Sequence, residues 1–300
     1  MGTGAALNTA APAARRASWA AAAVGVQVGA TIVATRFVIA ETGPVTLAAL
    51  RYLIGLATLL PFVLAARERT RFARADLPRI VLLGIGQFAL LVALLNIGLQ
   101  TVPAARGALL FASFPLLTLL VAASIGHERL TARKILGVVL TLAGVGAALG
   151  PGAFAPGASL VGEGAILASA VCGAVCSVAY RPLLRRYAAL PLGSAAMAAS
   201  VVFLCAWAPL DGAFAHLPQI SAGGWAAIGF IGASSGIAYF LLLYALRHAD
   251  ASRVTLALSL GPVTALLLGI VWLGEPPTIG LLVAVALVAV GLRVVQDRVR

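Results

Sequence analysis

Residues 104–131 of the chain read AARGALLFASFPLLTLLVAASIGHERLT, and residues 251–278 read ASRVTLALSLGPVTALLLGIVWLGEPPT. Both belong to a longer match, in which residues 84–145 align with residues 231–292 without a gap. Matches of Leu and Ala carry little information in so apolar a chain, whereas Arg, Pro and Glu are scarce in it. The informative identities are Arg106 with Arg253, Pro115 with Pro262, Glu128 with Glu275, Thr131 with Thr278 and Gly144 with Gly291. They indicate an internal duplication.

The composition is that of a membrane protein. Of the 300 residues, 62% are hydrophobic and 10% are charged, and the mean hydropathy is +1.06. Soluble domains carry about 25% charged residues. The net charge of +12 raises the possibility of nucleic-acid binding, but the basic residues stand in short segments between apolar runs. We therefore expect lipid to surround the protein and no nucleic acid to bind it.

The apolar runs predict ten membrane-spanning helices, because a span needs about 20 mostly apolar residues. The connecting segments are too short to fold as domains. We expect an all-α integral membrane protein with two five-helix repeats, at residues 18–150 and 159–296. The predicted helices lie at residues 18–40, 44–66, 78–99, 102–125, 131–150, 160–180, 191–210, 223–246, 251–273 and 277–296.

The basic residues predict the orientation, because cytoplasmic loops are enriched in Arg and Lys. With the N-terminus in the cytoplasm, only Arg36, Arg51 and Arg106 of the 21 Lys and Arg residues fall on the outer side. Both termini are then cytoplasmic. Since five is an odd number, the second repeat enters the membrane inverted, as in many secondary transporters. The alternative is a duplication retained only as a scaffold.

Short motifs along the chain resemble, in their order and spacing, the ten-helix EamA branch of the bacterial drug/metabolite transporter superfamily. The resemblance covers residues 18–296. It implies a multi-pass protein of the bacterial inner membrane that exports amino acids, other metabolites or toxic cations. The chain is most similar to the amino-acid exporters, including the aromatic amino-acid exporter, although its central helices are not unusually aromatic. The motifs are Arg36, residues 48–52, residues 104–106, Pro115, residues 126–131 and residues 274–277.

Polar and aromatic residues at helical spacing are the candidate substrate contacts. A pocket of amides, hydroxyls and rings without a deep charge suits a zwitterionic or neutral solute. The glycines that flank the paired serines of the eighth predicted helix fit an alternative, tight helix packing, equally well. The candidates are Gln27, Thr31, Gln87, Phe88, Phe111, Phe114, Tyr180, Ser234, Ser235, Tyr239 and Ser259.

The candidate gating residues are charges on the outer side and two prolines. We expect the arginines to pair with Glu41, Glu163 or Glu275, either to fix helices or to form an outer gate. Proline within a helix removes a hydrogen bond and produces a kink, so the matched prolines are hinges or fixed bends. These candidates are Arg36, Arg51, Arg106, Glu163, Pro115 and Pro262.

Three classes of function compete. The first is an exporter of amino acids or similar metabolites, working by alternating access. The alternatives are a proton-coupled exporter of drugs or toxic cations and a protein that does not transport. We do not expect an enzyme, a cofactor or a metal, because the histidines fall in loops and the cysteines in apolar runs, so no convergent reactive set is evident. We expect a monomer with a small-molecule substrate, and the few buried carboxylates favour facilitated or weakly coupled export.

Overall fold

The structure is a computed structural model that describes residues 4–65, 70–126, 131–149, 159–213, 217–248 and 260–296. Over these residues all regular structure is helical, which confirms the all-α class. Within them, seven helices are long and apolar enough to span a membrane, and Leu260–Leu273 and Ile279–Gly291 are shorter apolar helices. Helix overlaps each of the ten predicted segments, but the number of ten spans and the orientation stay predictions.

The helices follow each other with short connections. The chain also forms 3₁₀ turns at Ala208–Asp211 and Leu217–Gln219 and a π-helical turn at Ile85–Leu90. The α-helices are α1 (Gly4–Thr42), α2 (Pro44–Ala65), α3 (Leu77–Gly84), α4 (Leu91–Leu99), α5 (Ala104–Phe111), α6 (Phe114–Ser124), α7 (Ala132–Leu149), α8 (Leu160–Leu184), α9 (Ala189–Trp207), α10 (Ala222–His248), α11 (Leu260–Leu273) and α12 (Ile279–Gln296).

Local sequence explains where several helices begin. A single residue, Gly43, separates α1 from α2, and its φ of 77° is accessible to glycine without strain. Pro44 then occupies the first position of α2, where a missing N–H costs no helical hydrogen bond. The Ser159 hydroxyl accepts a hydrogen bond from the Gly162 N–H at 3.2 Å and caps α8. Caps of this type satisfy amide groups that a helix start leaves unpaired.

The third predicted span is one continuous helical segment with a π-helical turn in its middle. Helix α3 leads directly into Ile85–Leu90, and α4 follows without a break. The Cys172 thiol of α8 donates to the Gly86 carbonyl at 3.4 Å, and a Cβ atom on Gly86 would lie 2.7 Å from the sulfur of Cys176. The turn is therefore packed directly against α8. Single π-helical turns inside α-helices are frequent at functional sites.

The fourth predicted span is broken rather than only kinked. Helix α5 ends at Phe111, α6 begins at Phe114, and Pro115 lies in the first turn of α6. The Ser113 hydroxyl donates to the Leu110 carbonyl at 2.7 Å, which satisfies a carbonyl near the break. Proline explains the break because it cannot continue the hydrogen bonds of the preceding turn. At the matched Pro262, the preceding residues 251–259 lie outside the described part of the chain.

The helices pack in a regular pattern. Helix α1 packs against α10 and α11, and α8 packs against α4 and α6. Helix α2 contacts α10 and α9, α3 contacts α9, α5 contacts α11, and α7 contacts α12. At several crossings glycine permits backbone contact: a Cβ atom on Gly84 would overlap the Ala196 carbonyl of α9, and one on Gly29 would overlap the Gly261 carbonyl of α11. Small residues of this kind let helices approach closely in a membrane.

A polar cluster joins the start of α3 to the segment between α8 and α9. Asp76 accepts hydrogen bonds from the Tyr187 hydroxyl at 2.7 Å and from Arg186 at 3.3 Å. The Tyr187 oxygen also accepts from the Ala73 N–H at 3.1 Å. The hydrogen bond from Tyr187, with the charge of Arg186, lowers the pKa of the Asp76 carboxyl. We call Asp76, Arg186 and Tyr187 the Asp76 cluster.

We predict that Asp76→Asn lowers the thermal stability of the protein at neutral pH. A lowered pKa means that the folded state favours the charged carboxylate, so its contribution is present above the ordinary pKa of about 4. That contribution is lost as the pH falls through the lowered value. The difference in Tm between the wild-type protein and the variant in detergent should therefore be constant near pH 7 and shrink below about pH 4. A difference that persists unchanged at low pH would contradict this, and Tyr187→Phe is the matched variant on the donor side.

Candidate functional site

A cavity of about 300 Å³ lies between helices of both halves of the chain. Its wall is formed by α1, α2, the π-helical turn, α4, α5, α6 and α11, with Leu242 of α10. Most of the wall is apolar, and the polar side chains that reach it are those of Thr31, Arg51, Tyr52 and Gln87. A mostly apolar pocket with a few convergent polar groups is typical of a small-molecule site, and its volume is at the low end of the usual range.

Several of the predicted substrate residues line this cavity. They are Thr31, Gln87, Phe88, Phe111 and Phe114. The rings of Phe111 and Phe114 are stacked with centroids 5.8 Å apart, and Phe88 meets Tyr52 edge to face at 5.3 Å. The cavity therefore has a polar side and an aromatic side.

Other predicted substrate residues do not line the cavity, and two of them donate hydrogen bonds to backbone carbonyls. The Tyr239 hydroxyl donates to the Ala189 carbonyl at 3.0 Å, and the Ser235 hydroxyl donates to the Ile231 carbonyl at 2.7 Å. Ser234 is buried between helices. Gln27 and Tyr180 each bury a side-chain oxygen and do not line the cavity. Ser259 lies outside the described residues.

The π-helical turn explains why the matched positions of the two halves differ. Gln87 and Phe88 align with Ser234 and Ser235, but the first pair lies in the π-helical turn and faces the cavity. The second pair lies in the regular helix α10. A π-helical turn contains more residues than an α-helical turn, so the side chains within it point in other directions than those of a regular helix. Equal spacing in the sequence therefore does not give equal positions at the cavity.

Arg51 is the largest departure from the expected site. It was expected in a charge cluster at the outer surface, but its side chain forms part of the cavity wall. Its Nε donates to the Ser235 hydroxyl at 2.8 Å, and its guanidinium lies 5.6 Å from the centre of the Tyr52 ring. The expectation of a pocket without a deep charge is therefore wrong. Sequence spacing could not reveal this, because it does not fix the rotation of α2 toward the cavity.

One predicted ion pair is present at an end of the bundle. The Arg106 guanidinium lies 3.1 Å from the Glu163 carboxylate, and Glu163 is 5% exposed. Arg36, at the same end, donates to the Gln100 carbonyl at 3.1 Å. The Arg106–Glu163 pair joins α5 to the first turn of α8.

The remaining acids at this end bind helix starts rather than the arginines expected to be their partners. Glu275 accepts from the backbone N–H groups of Ala104 and Ala105, at 2.7 and 3.3 Å. Glu41 accepts from the backbone N–H of Ser221 at 2.9 Å, just before α10. Unpaired N–H groups and the helix dipole make a helix start a favourable partner for a carboxylate. Of the three acids expected as partners of the arginines, Glu163 is therefore the one that forms an ion pair among the described residues.

Asp211 has a similar role that the sequence did not reveal. Its carboxylate accepts from the backbone N–H groups of Val45 and Thr46, at 2.8 and 3.0 Å, and so caps α2. The only signal in the sequence is an acid at the end of a predicted span, which does not identify a partner so distant along the chain. We call the three acids Glu41, Asp211 and Glu275 the capping carboxylates.

Comparison with known proteins agrees with this architecture. The model of the EamA-like transporter family matches residues 15–149 and again residues 160–296. A probable terminal-alkyne amino-acid exporter of Streptantibioticus cattleyicolor is 33% identical over 224 residues, which are 74% of each chain. An uncharacterized transporter of Archaeoglobus fulgidus is 26% identical over 89% of this chain and 94% of its own. A protein with a solved crystal structure superposes with a TM-score of 0.66 at 25% identity and covers 92% of this chain and 98% of its own.

Proposed function

Because the chain belongs to the EamA-like transporter family, we propose that this multi-pass membrane transporter exports amino acids or similar small metabolites across the bacterial plasma membrane. The cavity is the observation that carries the proposal, since it combines a guanidinium, an amide and an aromatic wall in a space suited to a small molecule. The similarity to a protein named as a probable amino-acid exporter supports the same class of substrate.

We propose alternating access between two inverted repeats, residues 18–150 and 159–296, with both termini in the cytoplasm. The packing pattern supports this arrangement. Helices α1 and α2 of the first half pack against α10 of the second. In the same way, α8 and α9 of the second half pack against α3 and α4, which are the counterpart of α10 in the first half. The family match to each half separately gives independent support. Two similar halves can exchange conformations at a central site, which gives inward-open and outward-open states of similar energy.

In this mechanism Arg36, Arg106 and Glu163 form an outer gate, and Pro115 and Pro262 are hinges. The Arg106–Glu163 ion pair supports the gate because it crosses between α5 and α8. The break between α5 and α6 supports a hinge, because Pro115 lies next to residues that are not held in a continuous helix. Both prolines also line the cavity, so a hinge motion there would change the shape of the site directly.

The alternative cargo is a drug or toxic cation. The position of Arg51 argues against it, because a guanidinium in a cavity wall of low polarity repels a cationic solute. Acids do not offset this charge: among the described residues that line the cavity, Arg51 is the one charged side chain. A zwitterion or an anion is therefore the favoured cargo.

The test is counterflow with the purified protein in proteoliposomes. We expect uptake of at least one apolar L-amino acid above empty vesicles. Ala112→Phe places a bulky ring in the wall of the cavity and should reduce that uptake toward the level of empty vesicles. Ala226→Phe, on an exposed part of α10, is the matched control and should transport normally. If no amino acid is taken up faster than by empty vesicles, the assignment of amino acids as the cargo is wrong.

We also propose that export is facilitated rather than driven strongly by protons. Glu163 is the acid most buried within a predicted span, and its carboxylate is held by Arg106. Arg106 therefore already binds this carboxylate, and Glu163 does not line the cavity. Uptake should therefore change little when a pH gradient is imposed across the vesicles. A large increase that Glu163→Gln abolishes would contradict this and identify Glu163 as the proton carrier.

A further inference from the structure

We propose that Arg51 and Gln87 form a head-group subsite, in which Arg51 binds the carboxylate and Gln87 the ammonium group of a free α-amino acid. The inference rests on the proposed function and makes it more specific. With this subsite the transporter requires an unmodified carboxylate on its cargo and distinguishes a free amino acid from its amide or ester.

Arg51 lies well inside helix α2. It lies about 10 Å along α2 from Pro44, at 1.5 Å per residue. A charged side chain at such a depth in a membrane span is costly unless it is paired or faces a polar cavity, and its usual explanation is a functional one. Within the described residues no carboxylate forms an ion pair with Arg51, and its side chain lines the cavity.

The hydrogen bonding of Arg51 leaves the cargo-binding side of the guanidinium available. Its Nε donates to the Ser235 hydroxyl at 2.8 Å, and the Tyr52 ring lies below the guanidinium carbon at 5.6 Å. These contacts fix the plane of the group. In the described part of the chain its two terminal nitrogens donate to no protein acceptor. Two parallel N–H donors in one plane match the two oxygens of a carboxylate.

Gln87 supplies the complementary acceptor. Its side-chain oxygen is buried and has no hydrogen-bond partner among the described residues, as is the case for Gln27 and Tyr180, but of these three residues only Gln87 lines the cavity. A buried polar atom without a partner is unusual in a folded protein and calls for an explanation. An ammonium group of the cargo would satisfy it. The Thr31 hydroxyl also lines the cavity and donates to the Val28 carbonyl at 2.9 Å, so its oxygen can still accept a hydrogen bond.

The rest of the cavity suits an apolar side chain. Leu91, Val92, Phe111 and Phe114 form the wall beyond the polar groups. An amino acid with an aliphatic or aromatic side chain would place its charged head at Arg51 and Gln87 and its side chain on this wall. A multiply charged phosphate fits poorly, since the described cavity wall offers one cation.

Transport by wild-type protein tests the carboxylate requirement. Uptake of labelled L-leucine, L-methionine and L-phenylalanine into proteoliposomes is measured with unlabelled competitors. The competitors are the free amino acids and their amides, leucinamide, methioninamide and phenylalaninamide. We expect each amide to compete about 30-fold or more weakly than the free amino acid, as for loss of a charge-assisted hydrogen-bond pair. Equal competition by the amides would overturn this inference while leaving amino-acid export in place. Absence of transport of all three amino acids would overturn the proposed function and this inference with it.

Variants of Arg51 show whether its side chain binds the carboxylate of the cargo or only stabilises the fold. Arg51→Gln should reduce leucine transport by about 30-fold and abolish the difference between leucine and leucinamide. Arg51→Lys keeps the charge without the planar pair of donors and should retain part of that difference. Arg79→Gln is the matched control, since Arg79 also donates a hydrogen bond to a neighbouring helix, to the Ala179 carbonyl at 3.4 Å, but does not line the cavity. Discrimination that survives in Arg51→Gln would assign Arg51 a structural role only.

Gln87→Leu gives an independent measurement that does not depend on the folding of Arg51 variants. It should weaken competition by leucine and leave competition by 4-methylpentanoate, which has no ammonium group, unchanged. Equal weakening of both competitors would overturn the role assigned to Gln87.

Discussion

Glu163→Leu should lower the free energy of unfolding by about 2–4 kcal/mol, because it breaks a largely buried ion pair by removing one partner. Glu163 is 5% exposed, and its carboxylate lies 3.1 Å from the Arg106 guanidinium. The variant leaves the arginine at the interface of α5 and α8 and deprives it of this carboxylate. Denaturant unfolding of the purified protein in detergent measures the loss.

Two further variants show whether the loss comes from the pair. The double change Arg106→Leu/Glu163→Leu should recover part of the stability, because both charges of the pair are then removed together. Arg186→Gln breaks the exposed pair with Asp76 and should change stability little, as is usual for ion pairs at the surface. A Glu163→Leu protein as stable as Arg186→Gln would show that the Arg106–Glu163 pair does not hold the two helices together.

Gly84→Ala should destabilise the protein by about 2–3 kcal/mol or prevent its folding, because even one methyl group has no space there. The added Cβ would overlap the carbonyl group of Ala196 in α9. This obstacle is backbone, which cannot move aside as the end of a flexible side chain can. The two helices would have to separate next to the π-helical turn that carries Gln87. Expression level, gel-filtration profile and Tm measure the effect.

Gly229 offers a control at which alanine should not lower the stability of the protein. Gly229 lies in the middle of α10, and a Cβ atom there would meet no atom within 4 Å. Gly229→Ala should be neutral or stabilise by about 0.5–1 kcal/mol, since alanine favours a helix over glycine. Similar losses for Gly84→Ala and Gly229→Ala would mean that close contact with α9 is not the reason for glycine at position 84.

The sequence predicted the helical architecture and much of the cavity for a physical reason. In a membrane, long apolar runs have to be helical, because no water is present to satisfy the backbone. Phe111 and Phe114 could be identified because they lie on the interior face at helical spacing. Thr31 and Gln87 could be identified because polar side chains inside spans seldom face lipid.

What the sequence missed depends on tertiary geometry. The two halves align without a gap, although only the first contains the π-helical turn at these positions. The alignment therefore does not show that the side chains of Gln87 and Ser234 point in different directions. The place of Arg51 in the wall follows from the rotation of α2 and from the hydrogen bond to Ser235. The partners of Glu41 and Glu275 are backbone groups of distant segments, and backbone groups have no signature in a sequence. Pro115 did predict a disturbance, but only the structure shows that the helix is broken there.

The capping carboxylates also constrain the order in which the protein can mature. The start of α2 is capped by Asp211, which is 166 residues from Val45, and the start of α5 by Glu275, which is 171 residues from Ala104. During synthesis both helices leave the ribosome long before the acids that complete them. Their first amide groups must therefore remain bound to water or lipid head groups while the second half is made. The early helices reach their final hydrogen bonding only when the last ones have been inserted, so the halves mature together although each resembles a unit of its own.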